Sequence, residues 1–171
     1  MNRYYVIAAL ALCVVIGLFW VLRGDRDARQ INRRLDELVE TVEKRGNESA
    51  LRQMTRSQTV PGFFSADAII RMAPLYASAL GRRETAQTLY LIHNNVERLT
   101  ARVRDRRLEI NREDDTADMR ITLTGNIHHG GRRESYVHSF QLDWVKDERE
   151  WYISRVELVQ AIRPPGAGPA E

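Results

Sequence analysis

Residues 4–22 form an unbroken run of nineteen uncharged, mostly apolar side chains, closed by Arg3 on one side and Arg23 on the other. As a helix rising about 1.5 Å per residue the run reaches roughly 28 Å, the thickness of a bilayer's hydrocarbon core. A cleaved secretory leader would have a shorter apolar stretch and small residues ahead of its cleavage point. Here the run ends Phe19-Trp20-Val21-Leu22-Arg23-Gly24-Asp25, and Cys13 stands in mid-run, away from any lipidation context. The expectation is a retained single-pass transmembrane helix, with Tyr4, Tyr5 and Trp20 near the interfaces where aromatic rings settle.

Two signals disagree about the side of the membrane. Arg3 alone precedes the run, whereas Arg23, Arg26, Arg29, Arg33 and Arg34 follow it, and that count would keep the following domain in the cytoplasm. A short leader, one span and then a globular domain is the layout of bacterial anchored periplasmic proteins. We follow the layout and expect an extracytoplasmic domain. The single cysteine lies within the run, so the domain beyond it has no disulfide and no thiol chemistry.

Residues 23–171 suffice for one core-bearing domain and are too few for two ordinary ones. The net charge of +3 comes from 26 basic and 23 acidic residues that are interspersed, which argues against nucleic-acid binding driven by net charge. Residues 163–171 contain three prolines and two glycines and are expected to form a disordered tail.

After Gly24 the pattern turns helical. Ile31, Leu35, Leu38 and Val42 fall on one stripe, with Asp25 and Asp27 suited to the start and Gly46-Asn47 to the stop. A second helix is expected from about Ser49, with Leu51 and Met54 facing inward, ending before Val60-Pro61-Gly62. Ala68-Ile69-Ile70 reads as a short strand that Pro74 breaks. A third helix opens at Gly81-Arg82-Arg83-Glu84 and carries Leu89, Ile92 and Val96 on one face, with Ala86 and Tyr90 beside them. Beyond it the period falls to two. Leu99, Ala101 and Val103 give way to Leu108 and Ile110 on the opposite parity, which requires a bulge near Asp105-Arg106. Ala117, Met119, Ile121, Leu123 and Ile127 form the next strand, and Gly130-Gly131 is the strongest turn signal. Tyr136, His138, Phe140, Leu142 and Trp144 alternate along the strand after it. Trp151 and Ile153, then Val156 and Leu158 after another parity slip, complete the last. Three helices followed by a four-stranded antiparallel meander make an α+β domain.

Three stretches resemble the nuclear transport factor 2-like, or SnoaL-like, superfamily. Gly81-Arg82-Arg83-Glu84 is similar to the entry of that group's third helix, Asp115-Thr116-Ala117-Asp118-Met119 to the turn into its middle strand, and the segment from Trp144 to Ile153 to its last hairpin. The resemblance covers residues 27–162. It implies a cone, three helices packed on a curved antiparallel sheet. It also implies that enzyme members would place an Asp or a His–Asp pair in the mouth of the cone, while other members bind partners. The glycine usual in the last hairpin is missing, Glu148-Arg149 standing in its place, so a longer turn is expected there.

The chemistry-bearing candidates are few. His138 shares a face with Tyr136, Phe140 and Trp144, where burial would tune an imidazole as a general base; a core histidine with a satisfied hydrogen bond is the plainer alternative. Asp67 is the carboxylate that the resemblance brings nearest the pocket, and it could equally cap a turn through Ser65. Tyr76 and Tyr90 join Tyr136, Phe140 and Trp144 as expected pocket lining, or as core. His128-His129 lie at a hairpin tip with no ligand-spaced carboxylate, a solvated turn and not a metal site. His93 closes the third helix and suits helix-end electrostatics. Arg98, Arg102, Arg104, Arg106 and Arg107 could contact anionic headgroups or an acidic partner, but interleaved with Glu97, Asp105 and Glu109 they read first as a solvated, ion-paired sheet face, and the arginines between Arg23 and Arg34 better suit lipid headgroups. No metal or cofactor is expected, and there is no phosphate loop or nucleophile elbow.

Three functions fit. The first is a membrane-anchored, non-catalytic binding module, pairing as a homodimer through its sheet face or holding a small molecule. The second is a lyase or isomerase using His138 and Asp67. The third is an assembly component of a bacterial secretion or envelope machine.

Overall fold

The computed structural model describes residues 26–46, 48–73 and 76–162. The expected anchor, residues 4–22, and the expected tail, residues 163–171, lie outside them. Among the described residues no helix is long and apolar enough to cross a membrane.

Helix α1 occupies residues 26–42 and α2 Ala50–Thr59, followed by a 3-10 turn at Val60–Phe63. Strands β1 (Phe64–Met72) and β2 (Tyr76–Gly81) lead into α3 (Arg82–Asn95). Then come β3 (Arg98–Asn111), β4 (Thr116–His129), β5 (Arg132–Asp147) and β6 (Glu150–Ile162). The six strands form one sheet in the order β2-β1-β6-β5-β4-β3. All neighbours are antiparallel except β1 and β6, which run parallel. The architecture is therefore α+β, three helices on a curved sheet that is mixed and not purely antiparallel.

The α1 stripe does what its spacing predicts: Ile31 and Leu35 are sealed in the core, and Leu38 and Val42 pack at its margin. Each fully buried aliphatic side chain contributes about 1.5–3 kcal/mol. The parity breaks also appear. The β3–β4 register slips between Arg104 and Arg107, where Asp105 has a φ of 49°, and the β5–β6 register slips beside Ser154, returning Val156 and Leu158 to the core. Gly130 and Gly131, with φ of 56° and 73°, make the two-residue β4–β5 turn, a backbone that side-chain-bearing residues avoid.

Three expectations need correcting. Leu51 and Met54 of α2 are 76 % and 51 % exposed, and Gln53 and Ser57 face inward instead. Both buried groups bond within or beside the helix, Gln53 to the Glu48 carbonyl and Ser57 to the Gln53 carbonyl. On α3 the inward positions are Thr85, Leu89 and His93, four residues apart, while Tyr90 and Ile92 turn outward. The last hairpin is no longer than usual: Asp147 pairs with Glu150, and Glu148 takes the left-handed φ of 54° that glycine would otherwise supply.

Candidate functional site

Strand alternation sends Tyr136, His138, Phe140, Leu142 and Trp144 to the face of β5 that lies under the helices. Phe140, Leu142 and Trp144 are buried within the core cluster. Trp144 buries its Nε1 without a hydrogen-bond partner among the described residues. Toward the Gly130-Gly131 turn the face opens, and His138 is half-buried between Tyr136, stacked at 5.6 Å, and Phe140, edge-on at 6.3 Å. Its Nδ1 has no hydrogen-bond partner among the described residues. Burial pushes the imidazole below its ordinary value, and the Val137 backbone acts weakly the other way.

Tyr136 donates its hydroxyl to the Thr100 carbonyl at 2.9 Å. Burial, reinforced by the Glu43 carboxylate, pushes it up to about 12, so it remains a neutral donor. To reach β3 it crosses β4 over its cross-strand partner Gly125. A Cβ at that position would stand 2.0 Å from the Thr100 carbonyl oxygen and 2.4 Å from the Tyr136 hydroxyl. The glycine is therefore dictated by a close approach of backbone and ring.

Asp67 is exposed on β1 and accepts a hydrogen bond from the Ser65 hydroxyl at 2.8 Å. With Pro61, Gly81, Arg82 and Glu84 it lines a concavity of about 620 Å³. Its neighbours Ala68 and Ile70 are buried, so its own side chain leaves the inner face. His138 lies level with Ala161 of β6, whereas Ile69 lies level with Arg155. Six residues of strand separate those levels, roughly 20 Å. Asp67 and His138 are not brought together. Tyr90 is 37 % exposed on α3, and Tyr76 opens β2 with its side chain outside the described part of the structure.

Two other histidines bond backbone carbonyls. His93 is sealed from solvent, and its Nε2–H donates to the Val42 carbonyl at the end of α1. Lys44, also buried, reciprocates: its ammonium donates to the carbonyls of His93 at 2.5 Å and Val96 at 2.7 Å, at the end of α3. Each helix thus receives at its negative end a donor from the other's segment. His129 donates from Nδ1 to the Asn95 carbonyl. Among the described residues no group of His, Cys, Asp and Glu could hold a metal ion.

The arginines sort unlike their sequence pattern. Arg34, counted above with a headgroup-binding set, is folded into the domain, bonding Glu150 and the Gly62 carbonyl and lying over the Phe63 and Tyr152 rings. Arg106 turns at the bulge to α1 and pairs with Asp36. Arg98, Arg102 and Arg104 share the outer face of the sheet and form no ion pair among the described residues. The ion-paired face expected from the interleaved Glu97, Asp105 and Glu109 is not formed there. The three arginines border a concavity of about 900 Å³, together with Arg45, Arg133 and Glu43. Parity held the signal: Arg98, Arg102 and Arg104 are even-numbered, while Glu97 is odd-numbered and Asp105 sits in the bulge.

No family model matches the chain, and no curated protein matches it significantly. Solved structures do. A protein from Novosphingobium aromaticivorans, provisionally named a scytalone dehydratase, is 18 % identical with a TM-score of 0.62, over 85 % of this chain and 97 % of its own. A nuclear transport factor 2-like protein of cystatin-like fold from the same organism is 15 % identical, with a TM-score of 0.65 over 84 % and 87 %. A hexachlorocyclohexane dehydrochlorinase, LinA type 2, is 14 % identical, with a TM-score of 0.64 over 88 % and 97 %. At such identities the likeness establishes the nuclear transport factor 2-like fold and nothing of the activity.

Proposed function

We propose that the chain is a membrane-anchored, non-catalytic binding domain on the extracytoplasmic side, held by residues 4–22 and presenting its sheet to a partner. The supporting observation is that Phe140, Leu142 and Trp144 are sealed within the core cluster, while Asp67 stands away from His138. Proton transfer needs a positioned partner as well as a base. The outer sheet face is open by contrast, and pairing with a second copy through it is one use of this reading.

A lyase or isomerase is the second reading. It draws on the unpartnered, buried Nδ1 of His138 and on the dehydratase and dehydrochlorinase names carried by two structures of the same fold. One experiment separates the two. Full-length protein extracted from its own membranes in mild detergent is expected to migrate in a stoichiometric complex and to leave β-hydroxycarbonyl and vicinal-halide compounds unchanged. A solitary species that eliminates water or halide from them, and loses that activity in His138→Gln, would replace the first reading with the second. A cysteine introduced at Ser49 and probed with a membrane-impermeant thiol reagent in intact cells tests the side of the membrane; protection from the reagent would move the domain to the cytoplasm.

A further inference from the structure

The geometry points to the arginine-lined outer face of β3–β5 as a docking site for an acidic, extended segment of a partner protein. This assignment deepens the binding reading above and rests on it.

Five arginines, Arg45, Arg98, Arg102, Arg104 and Arg133, border the concavity against one carboxylate, Glu43. That carboxylate is already engaged by the Ala101 amide and the Arg45 guanidinium, which also lies 3.9 Å from Glu40, so Arg98, Arg102, Arg104 and Arg133 are the arginines that face a partner. Arg133 donates its Nε–H to Asn126 and forms no ion pair among the described residues. The floor between the guanidiniums is uncharged and polar, built from Thr100, Thr124, Asn126 and Ser135. The charges are distributed along the strand: from Arg98 to Arg104 is six residues, or roughly 20 Å. That spread fits successive carboxylates of an extended chain better than one small anion, which would need the guanidiniums to converge.

Other polyanions fit less well. Base stacking would need exposed aromatic faces, and the one ring bordering the concavity, Tyr136, reaches it from the inner face, half-buried and with its hydroxyl bound to Thr100. If residues 4–22 span the bilayer and α1 runs on away from it, anionic lipid of the chain's own membrane is too far. Residues 43–45 border the concavity at the far end of α1, and the helix from residue 26 to residue 42 spans about 25 Å, more than twice the Debye length of about 8–10 Å. Strand addition along the β3 edge is also blocked here, because Lys44 and Glu43 already occupy the outward groups of Leu99 and Ala101. The occupant must therefore lie across the face.

The test uses full-length protein in zwitterionic nanodiscs and a fluorescein-labelled peptide of alternating Glu and Ser, read by anisotropy. Saturable binding that weakens with added salt is expected, together with a loss of about tenfold in R98Q/R102Q/R104Q. A variant lacking three charges elsewhere, R52Q/R83Q/R149Q, is expected to bind as the wild type does, and a Lys-Ser peptide not to bind. Melting curves establish that both variants are folded. Equal losses in the two triple variants would overturn the assignment. So would binding of pyrophosphate or phosphatidylglycerol vesicles in place of the peptide. A triple variant that only aggregates, from a wild type that binds nothing, would make the arginines edge protection and end the proposal. Failure of the peptide while the extracted protein still runs in a complex would sink this site alone; failure accompanied by His138-dependent turnover would sink the binding reading as well.

Discussion

Replacing Lys44 with Met tests whether the helix-end clasp holds the domain together. The substitution preserves length and leaves intact the backbone pair between Lys44 and Leu99, so only the ammonium is lost. Two charge-assisted hydrogen bonds disappear, to the His93 and Val96 carbonyls at 2.5 and 2.7 Å, each worth about 1.5–3 kcal/mol. Relief from burying the charge returns part of that sum. The end of α3 meanwhile loses the donor that satisfied its carbonyls, since residue 44 is only 8 % exposed and water has little access. A net loss of about 2–4 kcal/mol follows, or roughly 6–12 °C in melting temperature at about 3 °C per kcal/mol for a domain of this size. Thermal unfolding of the full-length protein in mild detergent, followed by near-ultraviolet circular dichroism, reads it directly. Because His93 makes the reciprocal bond to Val42, the double variant with His93→Phe is expected to lose less than the sum of the singles. A Lys44→Met midpoint within about 2 °C of wild type, under 1 kcal/mol on that scale, would refute the clasp.

Gly125→Ala forces a methyl group against the Thr100 carbonyl oxygen and the Tyr136 hydroxyl; a loss of about 3 kcal/mol or more is expected in a melting assay, overpacking against backbone being the cause. Glu148→Gly relieves a left-handed φ of 54° and is expected to gain about 0.5–1 kcal/mol, read the same way. Leu51→Ser, at 76 % exposure, is expected to fall within about 0.5 kcal/mol of wild type, contrary to the α2 stripe read from sequence. His138 has its pKa lowered by burial, so the unfolded chain binds more protons than the fold just below the unfolded value of about 6.5. Stability is therefore full above that value and declines as pH falls from it toward the folded pKa. In melting scans between about pH 7.5 and 5.5, a range chosen to bracket that value, His138→Gln is expected to flatten this decline, and an unchanged slope would refute it.

Legibility in the sequence followed the strength of the periodic signal. Wherever apolar residues alternated without interruption, as from Ala117 to Leu123 or Phe140 to Trp144, strand, face and burial emerged together, and the parity slips located bulges because a slip leaves one residue unpaired. Strand β2 was not anticipated: Tyr76-Ala77-Ser78-Ala79-Leu80-Gly81 is dominated by small residues of weak strand preference, and it forms by pairing along β1. On α2 the inward positions are Gln53 and Ser57. A rule that ranks faces by hydrophobicity selects the wrong side whenever buried polar groups find their partners locally. The site was less legible still. Asp67 and His138 were linked only by family likeness, and the register that separates them depends on a parallel β1–β6 pairing that no local pattern encodes.

The orientation of α1 ties the proposed tether to the proposed docking face. Its first turn is fixed to the β5–β6 hairpin: Asp27, 7 % exposed, accepts hydrogen bonds from the Lys146 ammonium at 2.8 Å and the Trp151 indole at 3.1 Å. One turn further, Ile31 is buried, and Arg34 then binds Glu150 in the same hairpin. A helix held at two points about two turns apart cannot swivel on its domain without breaking a buried ionic contact, at a cost of about 3–5 kcal/mol. If residues 4–22 span the bilayer, the Asp147–Glu150 hairpin end therefore faces the lipid and the arginine face is held away from it. Asp27→Ala should free that angle. In nanodiscs, the distance between a spin label at Ser135 and the membrane surface is expected to be narrowly distributed in wild type and broad in the variant. Equal breadth in both would mean that the slack lies in the chain before residue 26, and the rigid coupling of anchor to docking face would fail.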